Sequence, residues 1–423
     1  MAPLLLARPR HIALAGPKHA TCRRRRPRPA LPQISERTGC RRRSPERSGS
    51  SSAVLSGIML FRFKVEGGWS IMLGWKGNYF PNEKRRHLYL VLDDWSRGYS
   101  IRKIDLSVGN DGDGEHSMPP AIFSFEAPRA GPKYFAGAFD SKILAMQPVD
   151  PQFSFNPMAG IPIYDVRMRS LVVGPRQRPD PVDPIYIPVG GRLFALSVGS
   201  FQLLYPPPDD ESDDQEEEED FVWGWHALPN PPFQHEHVTS YAVHRDGRTI
   251  FVSIGGESSA TFSFDTAESV RNGCMWKNHG QWQLPFSGRA YFIAELDAWV
   301  GLSRKPGTTT SWRICSMDVI SDDCENGQAV KYTREELATT VSDHELVTGV
   351  TLVSMGGGSK FCVVECCLDH SVSVPFIQLV TFSMMYGKNG ELTTGNSRQF
   401  REYKNIPQGV SSEMLENPVA FWM

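Results

Sequence analysis

From about Ile58 to the end of the chain, apolar residues occur in short runs that are interrupted by Gly, Pro, Asn and Asp. Such runs are typical of β-strands bounded by turns, and no segment here keeps a helical period over four turns. The apolar run Leu88–Leu92 is followed by Asp93 and Asp94, and then by Tyr99–Leu106, whose later half alternates apolar and polar residues. The pattern predicts a hairpin at this point and an all-β fold for the chain after residue 57.

The same hairpin pattern recurs along the chain, with turn centres near residues 94, 140, 191, 247, 297 and 357. Gly and Asp at these centres supply the positive φ angles that tight turns need. Further strand pairs are predicted after the hairpins, at Pro162–Val173, Ala260–Asp265, Trp312–Val319 and Phe376–Tyr386. A four-strand unit of about fifty residues has the size of a kelch-type propeller blade. About 365 residues would then form six or seven blades, each burying its faces against its neighbours around a ring.

The stretch Tyr241–Arg289 matches a single kelch repeat best. A strand ends in the double glycine Gly255-Gly256, an aromatic and acidic strand follows, and Trp276 and Trp282 precede the closing Arg289. The other units lack the paired glycines or the tryptophan, so a pair of β-sandwiches with coincidental spacing stays open as an alternative fold.

Five segments of the chain form a recognisable combination: LYLVLDDW at 88–95, GYSIRKID at 98–105, FSFDT at 262–266, GQWQLPF at 280–286 and LDAWVGL at 296–302. Together they resemble a plant family, expanded in grasses, that is built on domain of unknown function 1668. The resemblance covers roughly residues 58–405, and the Trp-rich block Trp276–Leu302 is its most specific part. It implies a kelch-like all-β protein with no established activity.

Charged residues are unevenly distributed along the chain of 423 residues, although its formal net charge is only −2. Residues 1–50 hold 13 Lys and Arg against two acidic residues, whereas ten acidic residues crowd into positions 209–220. Outside these two segments the body is nearly neutral, which argues against nucleic-acid binding by the folded part. No apolar run approaches the ~20 residues of a membrane span. We expect the acidic run to be a solvated loop, because ten like charges repel each other too strongly to pack.

These observations predict a disordered, Arg-rich segment at residues 1–57, a kelch-like propeller at 58–405, and a tail or closing strand at 406–423. The Arg-rich, Ser-rich and acid-poor composition of residues 1–57 is also that of an organellar transit peptide. An inert tail, or an extension upstream of a working start at Met59, is the alternative. We therefore expect the protein to be located in the cytoplasm or nucleus, or in the chloroplast or mitochondrion if residues 1–57 are a transit peptide.

Two groups of side chains are compatible with metal binding by residue type. Cys362, Cys366 and Cys367 lie in an apolar strand pattern with His370 close behind, but alternation turns adjacent cysteines to opposite faces, so we predict core packing. His235 and His237 would share one face of a strand, but no third ligand has a fixed spacing from them. We predict no metal site and no cofactor.

No catalytic motif is recognisable: the sequence lacks a Gly-x-Ser-x-Gly elbow and a His-Glu-x-x-His pair, and Gly356–Lys360 does not have the spacing of a phosphate loop. We therefore expect a monomeric protein-interaction platform without catalytic activity, which binds an unknown protein partner through loops. Arg and Trp dominate binding energy at protein interfaces. The candidate rim residues are Arg245, Arg248, Arg289, Trp299 and Arg304. The alternative function is a propeller enzyme or a small-ligand-binding protein with its site at the central channel.

Overall fold

The computed structural model of this chain describes residues 58–65, 68–75, 86–95, 98–106, 116–126, 134–146, 160–208, 223–267, 275–304, 312–319, 329–335, 345–369, 374–407 and 409–423. The chain divides into two compact units, Met1–Ser56 and Gly57–Met423, and the first unit lies outside the described residues. The predictions for the Arg-rich segment and for the compartment therefore stay predictions. Among the described residues, no helix has the length and apolar composition of a membrane span.

The regular secondary structure of the described residues is almost entirely β-strand, which confirms the predicted all-β class. In chain order, the strands are β1 (Ile58–Val65), β2 (Gly68–Trp75), β3 (Leu88–Trp95), β4 (Gly98–Ile104), β5 (Ala121–Glu126), β6 (Tyr134–Ala138), β7 (Lys142–Met146), β8 (Ile161–Asp165), β9 (Ser170–Gly174), β10 (Ile185–Val189), β11 (Arg192–Ser197), β12 (Ser200–Leu204), β13 (Trp225–Ala227), β14 (Val238–Val243), β15 (Thr249–Ile254), β16 (Ala260–Asp265), β17 (Lys277–Asn278), β18 (Gly288–Ile293), β19 (Ala298–Arg304), β20 (Trp312–Asp318), β21 (Val330–Tyr332), β22 (Glu345–Ser354), β23 (Lys360–Asp369), β24 (Val374–Ser383), β25 (Met385–Tyr386), β26 (Leu392–Thr393), β27 (Gln399–Tyr403) and β28 (Val419–Trp422). The helical segments in this part of the chain are α1 (Ser412–Glu416) and a 3-10 turn at His235–His237.

The strands form runs of four that follow the chain. Their hydrogen-bonded orders are β28-β3-β4-β5, β6-β7-β8-β9, β10-β11-β12-β13, β14-β15-β16-β17, β18-β19-β20-β21 and β22-β23-β24-β27. Within each run neighbouring strands are antiparallel, and β14 also pairs in parallel with β18, which joins two runs into one eight-stranded sheet. The hairpin β1–β2 pairs with none of these runs, so the four-strand pattern begins at β3 and not at Ile58. We call the first strand of each run, namely β28, β6, β10, β14, β18 and β22, its leading strand.

The predicted hairpins are present, and β10–β11 shows why the sequence forms them. Val189 pairs with Arg192, so only Gly190 and Gly191 lie in the turn. Their φ angles are +55° and +74°. A two-residue hairpin turn of this kind needs positive φ at both central positions, which glycine adopts without steric penalty.

The last strand of the chain belongs to the first sheet. β28 pairs antiparallel with β3, from Val419 opposite Val91 to Trp422 opposite Leu88. Next to this ladder, the Met423 N–H donates to the His87 carbonyl oxygen (3.1 Å), and the His87 N–H donates to the Met423 carbonyl oxygen (2.7 Å). The first strand of the four-strand pattern along the chain, β3, and the last strand of the chain are therefore held in one sheet.

The core lies between consecutive sheets. Leu88 and Leu90 of the first sheet, for example, are buried against Cys362 and Val364 of the last one. Corresponding clusters join the first run to the second, the second to the third, the third to the fourth, the fourth to the fifth and the fifth to the sixth. Each sheet thus buries one face against the run before it and the other against the run after it.

The helix α1 connects the first and last sheets. Asp93 of β3 accepts a hydrogen bond from the Ser411 N–H (2.9 Å), and the Ser411 hydroxyl caps the helix by accepting one from the Met414 N–H (3.2 Å). On the other side, Gly349 of β22 lies so close to α1 that an added Cβ would stand 2.2 Å from the Leu415 carbonyl oxygen. Only glycine allows this approach, because the clash would be with backbone atoms that cannot rotate away.

We predict that Gly349→Ala lowers the free energy of unfolding by roughly 1–3 kcal/mol, since the added methyl group must displace α1 or bend β22. Urea unfolding followed by circular dichroism measures this change. Adding one methyl group at an exposed strand position, with Ser124→Thr on β5, should change stability by less than about 0.5 kcal/mol. Equal stability of Gly349→Ala and the wild type would show that α1 does not press on β22.

Candidate functional site

Five turns that follow leading strands lie along one side of the sheets. β14 and β18 are parallel, so the turns at their carboxyl ends point the same way. We call these turns together the turn edge: they comprise residues 139–141, 190–191, 244–248, 294–297 and 355–359.

Hydrogen bonds connect neighbouring parts of the turn edge. Arg192, which follows the β10–β11 turn, donates from Nη2 to the Thr266 carbonyl oxygen (3.1 Å) and to its Oγ1 (3.2 Å) beyond the end of β16. Two sheets further on, the Gly358 N–H donates to Glu295 Oε1 (2.8 Å). Such contacts between successive sheets hold the turns in fixed relative positions.

The β14–β15 turn is also braced internally by Asp246. Its Oδ1 accepts from the backbone N–H groups of Arg248 (2.8 Å) and Thr249 (2.9 Å), and its Oδ2 accepts from the Thr249 hydroxyl (2.6 Å). His244 Nδ1 lies 3.2 Å from the same Oδ2. Partial burial opposes ionisation of Asp246, but these hydrogen bonds outweigh it and lower its pKa to about 2. The carboxylate therefore stays charged and keeps the turn rigid.

Two of the predicted rim residues, Arg245 and Arg248, project from this turn. Their side chains are 54% and 56% exposed. Arg245 Nη1 lies 3.9 Å from Asp297 Oδ1, and Arg248 lies 3.6 Å from Asp246 Oδ2 and 3.5 Å from Asp265 Oδ2. Within the part of the chain that the structure describes, neither guanidinium makes a hydrogen bond. Exposed ion pairs of this length contribute little to stability.

Arg289 and Arg304 lie at the opposite end of the strands. Arg289 is the second residue of β18 and Arg304 is the last residue of β19, whereas the turn between these strands, 294–297, belongs to the turn edge. Each guanidinium stands over an aromatic ring, at 4.6 Å from the Tyr291 centroid and 4.8 Å from the Trp312 centroid. The structure therefore does not bring the four arginines together at one rim.

Trp299 lies in the core and not at a rim. Its side chain has 0% exposure, and its indole N–H donates to the Val243 carbonyl oxygen (2.7 Å). It packs between the sheets of β14–β17 and β18–β21 with Phe251 and Ala290. Trp299 stands only two residues after Asp297 of the turn, but β19 has already entered the space between the sheets.

His235 and His237 lie in the 3-10 turn before β14 and not on a strand, so they do not share the strand face on which a metal site would depend. His235 Nε2 stands 2.6 Å from the Asp183 carbonyl oxygen, and His237 is exposed. Residues two positions apart point to the same face on a strand, but they do not do so in a 3-10 turn.

The predicted burial of the clustered cysteines is confirmed. Cys362 and Cys366 pack in the cluster shared with the first sheet, and Cys367 is buried on the other face of β23. Burial raises the pKa of Cys362 and of Cys366 to about 12, so both remain neutral thiols. His370 lies outside the described residues.

The acidic run 209–220 also lies outside the described residues. The chain on either side of it is described: Leu204, at the end of β12, pairs with Leu193, next to the 190–191 turn. The Trp223 indole N–H donates to the Tyr205 carbonyl oxygen (3.0 Å), so the two flanking segments meet. The described residues that flank the run on both sides therefore lie on the side of the turn edge.

Glu365 is an interior group that the sequence patterns did not single out. It lies on β23 between Val350 of β22 and Gln378 of β24, with 1% exposure. Neither carboxyl oxygen has a hydrogen-bond partner among the described residues. Phe361 and Val363, at alternate positions, pack against the β18–β21 sheet, so Glu365 faces the same sheet. Burial raises its pKa to about 7, although the charge of Arg398 acts in the opposite direction.

We predict that Glu365→Gln stabilises the protein at alkaline pH but not at acid pH. The pKa of Glu365 is about 7 in the folded state and 4.5 in the unfolded state, so the folded state holds its proton more tightly. Wild-type stability therefore falls as the pH rises from about 4.5 to about 7. At about 1.4 kcal/mol per pH unit, the upper limit of the gain at pH 8 is roughly 3 kcal/mol.

Urea unfolding at pH 5 and at pH 8 checks this prediction, with the exposed Glu257→Gln as the matched control. The control should show the same difference from the wild type at both pH values. A constant effect of Glu365→Gln across this range would mean that Glu365 does not titrate within it.

Comparison with known proteins gives a family without an assigned activity. A family model described as "Protein of unknown function (DUF1668)" matches residues 85–403, from the start of the first sheet to the end of β27. No curated protein matches the chain. Because the match spans most of the chain, this protein belongs to the family of unknown function DUF1668.

Proposed function

We propose that the six runs of strands close into a kelch-like propeller of six blades, and that this propeller is a platform for binding a protein partner. Two observations support the closed ring. β28 supplies the leading strand of the first sheet although it comes last in the chain. The core cluster between the last and the first sheet is of the same kind as those between sheets that are consecutive in the chain. A pair of separate sandwiches would not need either feature.

The leading strands favour a binding role over catalysis. In a closed ring these six strands line the central channel. They carry two charged residues, Arg289 and Glu345, which are the second residue of β18 and the first residue of β22. General acid–base catalysis requires titratable groups that converge on a substrate. An almost uncharged lining therefore speaks for a channel without a catalytic centre.

We place the docking site at the turn edge, and one observation carries this proposal: Arg245 and Arg248 are half exposed on a turn that Asp246 holds rigid. Arginine is enriched among residues that dominate interface energies. A side chain on a fixed backbone also loses less conformational entropy when it binds. The turn thus combines the residue type and the rigidity that a docking site needs.

A pull-down with charge-reversal variants tests whether the protein binds a partner through the turn edge. Plant tissue is the source of partners, because the sequence resembles a family expanded in grasses. The variant Arg245→Glu/Arg248→Glu reverses two charges at the turn edge. The matched control, Arg304→Glu/Arg334→Glu, reverses two exposed arginines at the other end of the strands. Loss of hot-spot contacts worth about 2 kcal/mol would weaken binding roughly thirtyfold.

We expect wild type and control to recover the same partner, and the turn-edge variant to lose it. Recovery of no reproducible partner by the wild type would refute the platform. Equal recovery by all three proteins would refute the turn edge as its docking side.

A further inference from the structure

We propose that the partner segment bound at the turn edge is acidic, and that Arg245 and Arg248 hold its carboxylates. This inference rests on the proposed function, because it names the chemistry of a partner at the same surface. Among the described residues, some arginines donate hydrogen bonds within the fold, whereas Arg245 and Arg248 do not.

Arginines that serve the fold use their donors internally. Arg192 donates from Nη2 to two oxygens of Thr266, and Arg102 Nη2 lies 2.5 Å from the buried Asp94 carboxylate. Arg245 and Arg248 make no such hydrogen bond in the described part of the chain. A guanidinium carries five N–H donors in a planar fork that matches the two oxygens of a carboxylate. The donors of Arg245 and Arg248 are therefore available to a ligand.

The two carboxylates near Arg248 are engaged elsewhere, and the Asp297 carboxylate near Arg245 stands 3.9 Å from its guanidinium. Asp246 accepts three hydrogen bonds from its own turn, and Asp265 Oδ1 accepts one from the Ala267 N–H (2.9 Å). Their distances to Arg248 exceed the ~2.7–2.9 Å of a charge-assisted hydrogen bond. A partner carboxylate would thus form shorter, forked pairs without first breaking a hydrogen bond to either guanidinium.

The two arginines reach in different directions from one turn. Arg245 extends towards Asp297 of the next sheet, whereas Arg248 extends towards Asp265 of its own sheet. A single carboxylate would engage one of them, and a segment with several carboxylates would engage both. This arrangement fits an acidic peptide segment better than an isolated anion.

The test is a binding titration with the full-length protein at about 0.15 M salt, where interactions between distant exposed charges are screened. The probe is a fluorescent peptide of sequence DDESDDQEEEED, which has ten acidic residues and is that of residues 209–220. The matched peptide replaces Asp by Asn and Glu by Gln. Fluorescence anisotropy reports both affinities.

Three variants show what the arginines contribute. Arg245→Gln/Arg248→Gln removes charge and fork, and we expect it to weaken acidic-peptide binding by about tenfold or more. Arg245→Lys/Arg248→Lys keeps the charge but loses the fork, and should lie between this variant and the wild type. Arg304→Gln/Arg334→Gln should bind as the wild type does.

The proposal is overturned if the acidic peptide binds no more tightly than its neutral counterpart, or if the Gln variant binds as the wild type does. The titration is repeated with a chain whose ten acidic residues at 209–220 are replaced by Asn and Gln. If the acidic peptide binds this variant but does not bind the wild type, the proposal of an external partner is also overturned. In that case the protein's own residues 209–220 occupy the site in the wild type.

The two proposals can fail separately. A tissue partner that is lost with the turn-edge charge reversal, together with no preference for the acidic peptide, would leave the platform standing and remove the acidic segment. Absence of any reproducible partner in the pull-down would remove the platform itself.

Discussion

Each small sheet in this protein has two apolar faces that must both be kept from water. β11 shows the constraint: Leu193 to Ser197 are all buried, so this strand has no solvent face. Four short strands cannot fold over their own two faces, so the neighbouring sheets must cover them. The first and last sheets each lack one neighbour along the chain, and they meet this requirement by packing on each other through Leu90 and Val364. The pairing of β28 with β3 is the backbone counterpart of the same contact.

This packing requirement also determines which positions can carry binding chemistry. Strand residues are committed to the interfaces between sheets, whereas turn residues contribute little to those interfaces and can vary. Arginine illustrates both situations, since Arg102 is tied to Asp94 inside a sheet while Arg245 stands half exposed on a turn. The difference between them lies in how their donors are satisfied, which is a property of the surroundings and not of the residue type.

Local features of the fold could be predicted from the sequence because the residues that cause them are neighbours. Apolar runs and turn glycines, such as Gly190 and Gly191, specify hairpins directly. The sequence left open whether residues 406–423 form a tail or a closing strand, because Val419–Trp422 is one short apolar run among many and its partner strand lies near the start of the described sheets. We expected Trp299 at a rim because tryptophan is frequent among the residues that dominate binding energy, and because it stands near a predicted turn it could have been exposed. Two residues are enough, however, for a strand to pass from the surface into the core.

The arginine candidates show a second limit of sequence analysis. Closeness to a turn identifies exposed positions, but antiparallel strands place successive turns at opposite ends of a sheet, so Arg245 and Arg304 were grouped although the structure separates them. Glu365 was missed because one acidic residue within an apolar strand hardly alters the pattern. Its burial is a property of the sheet packed against β23, which no local pattern contains.

The pKa values of two carboxylates are shifted in opposite directions: that of Asp246, on a surface turn, is lowered, and that of Glu365, in the interior, is raised. Asp246 has a pKa of about 2 because hydrogen bonds of its turn hold the charged form, so this carboxylate keeps its charge near neutral pH. Glu365 has a pKa of about 7 because burial disfavours its charged form, so its charge changes near neutrality. A change of pH in this range therefore acts, through Glu365, on the contact between the last two sheets, whereas the Asp246 carboxylate keeps its charge. Salt instead screens exposed charges, such as those of Arg245 and Arg248, and has little effect on a buried carboxyl group such as that of Glu365.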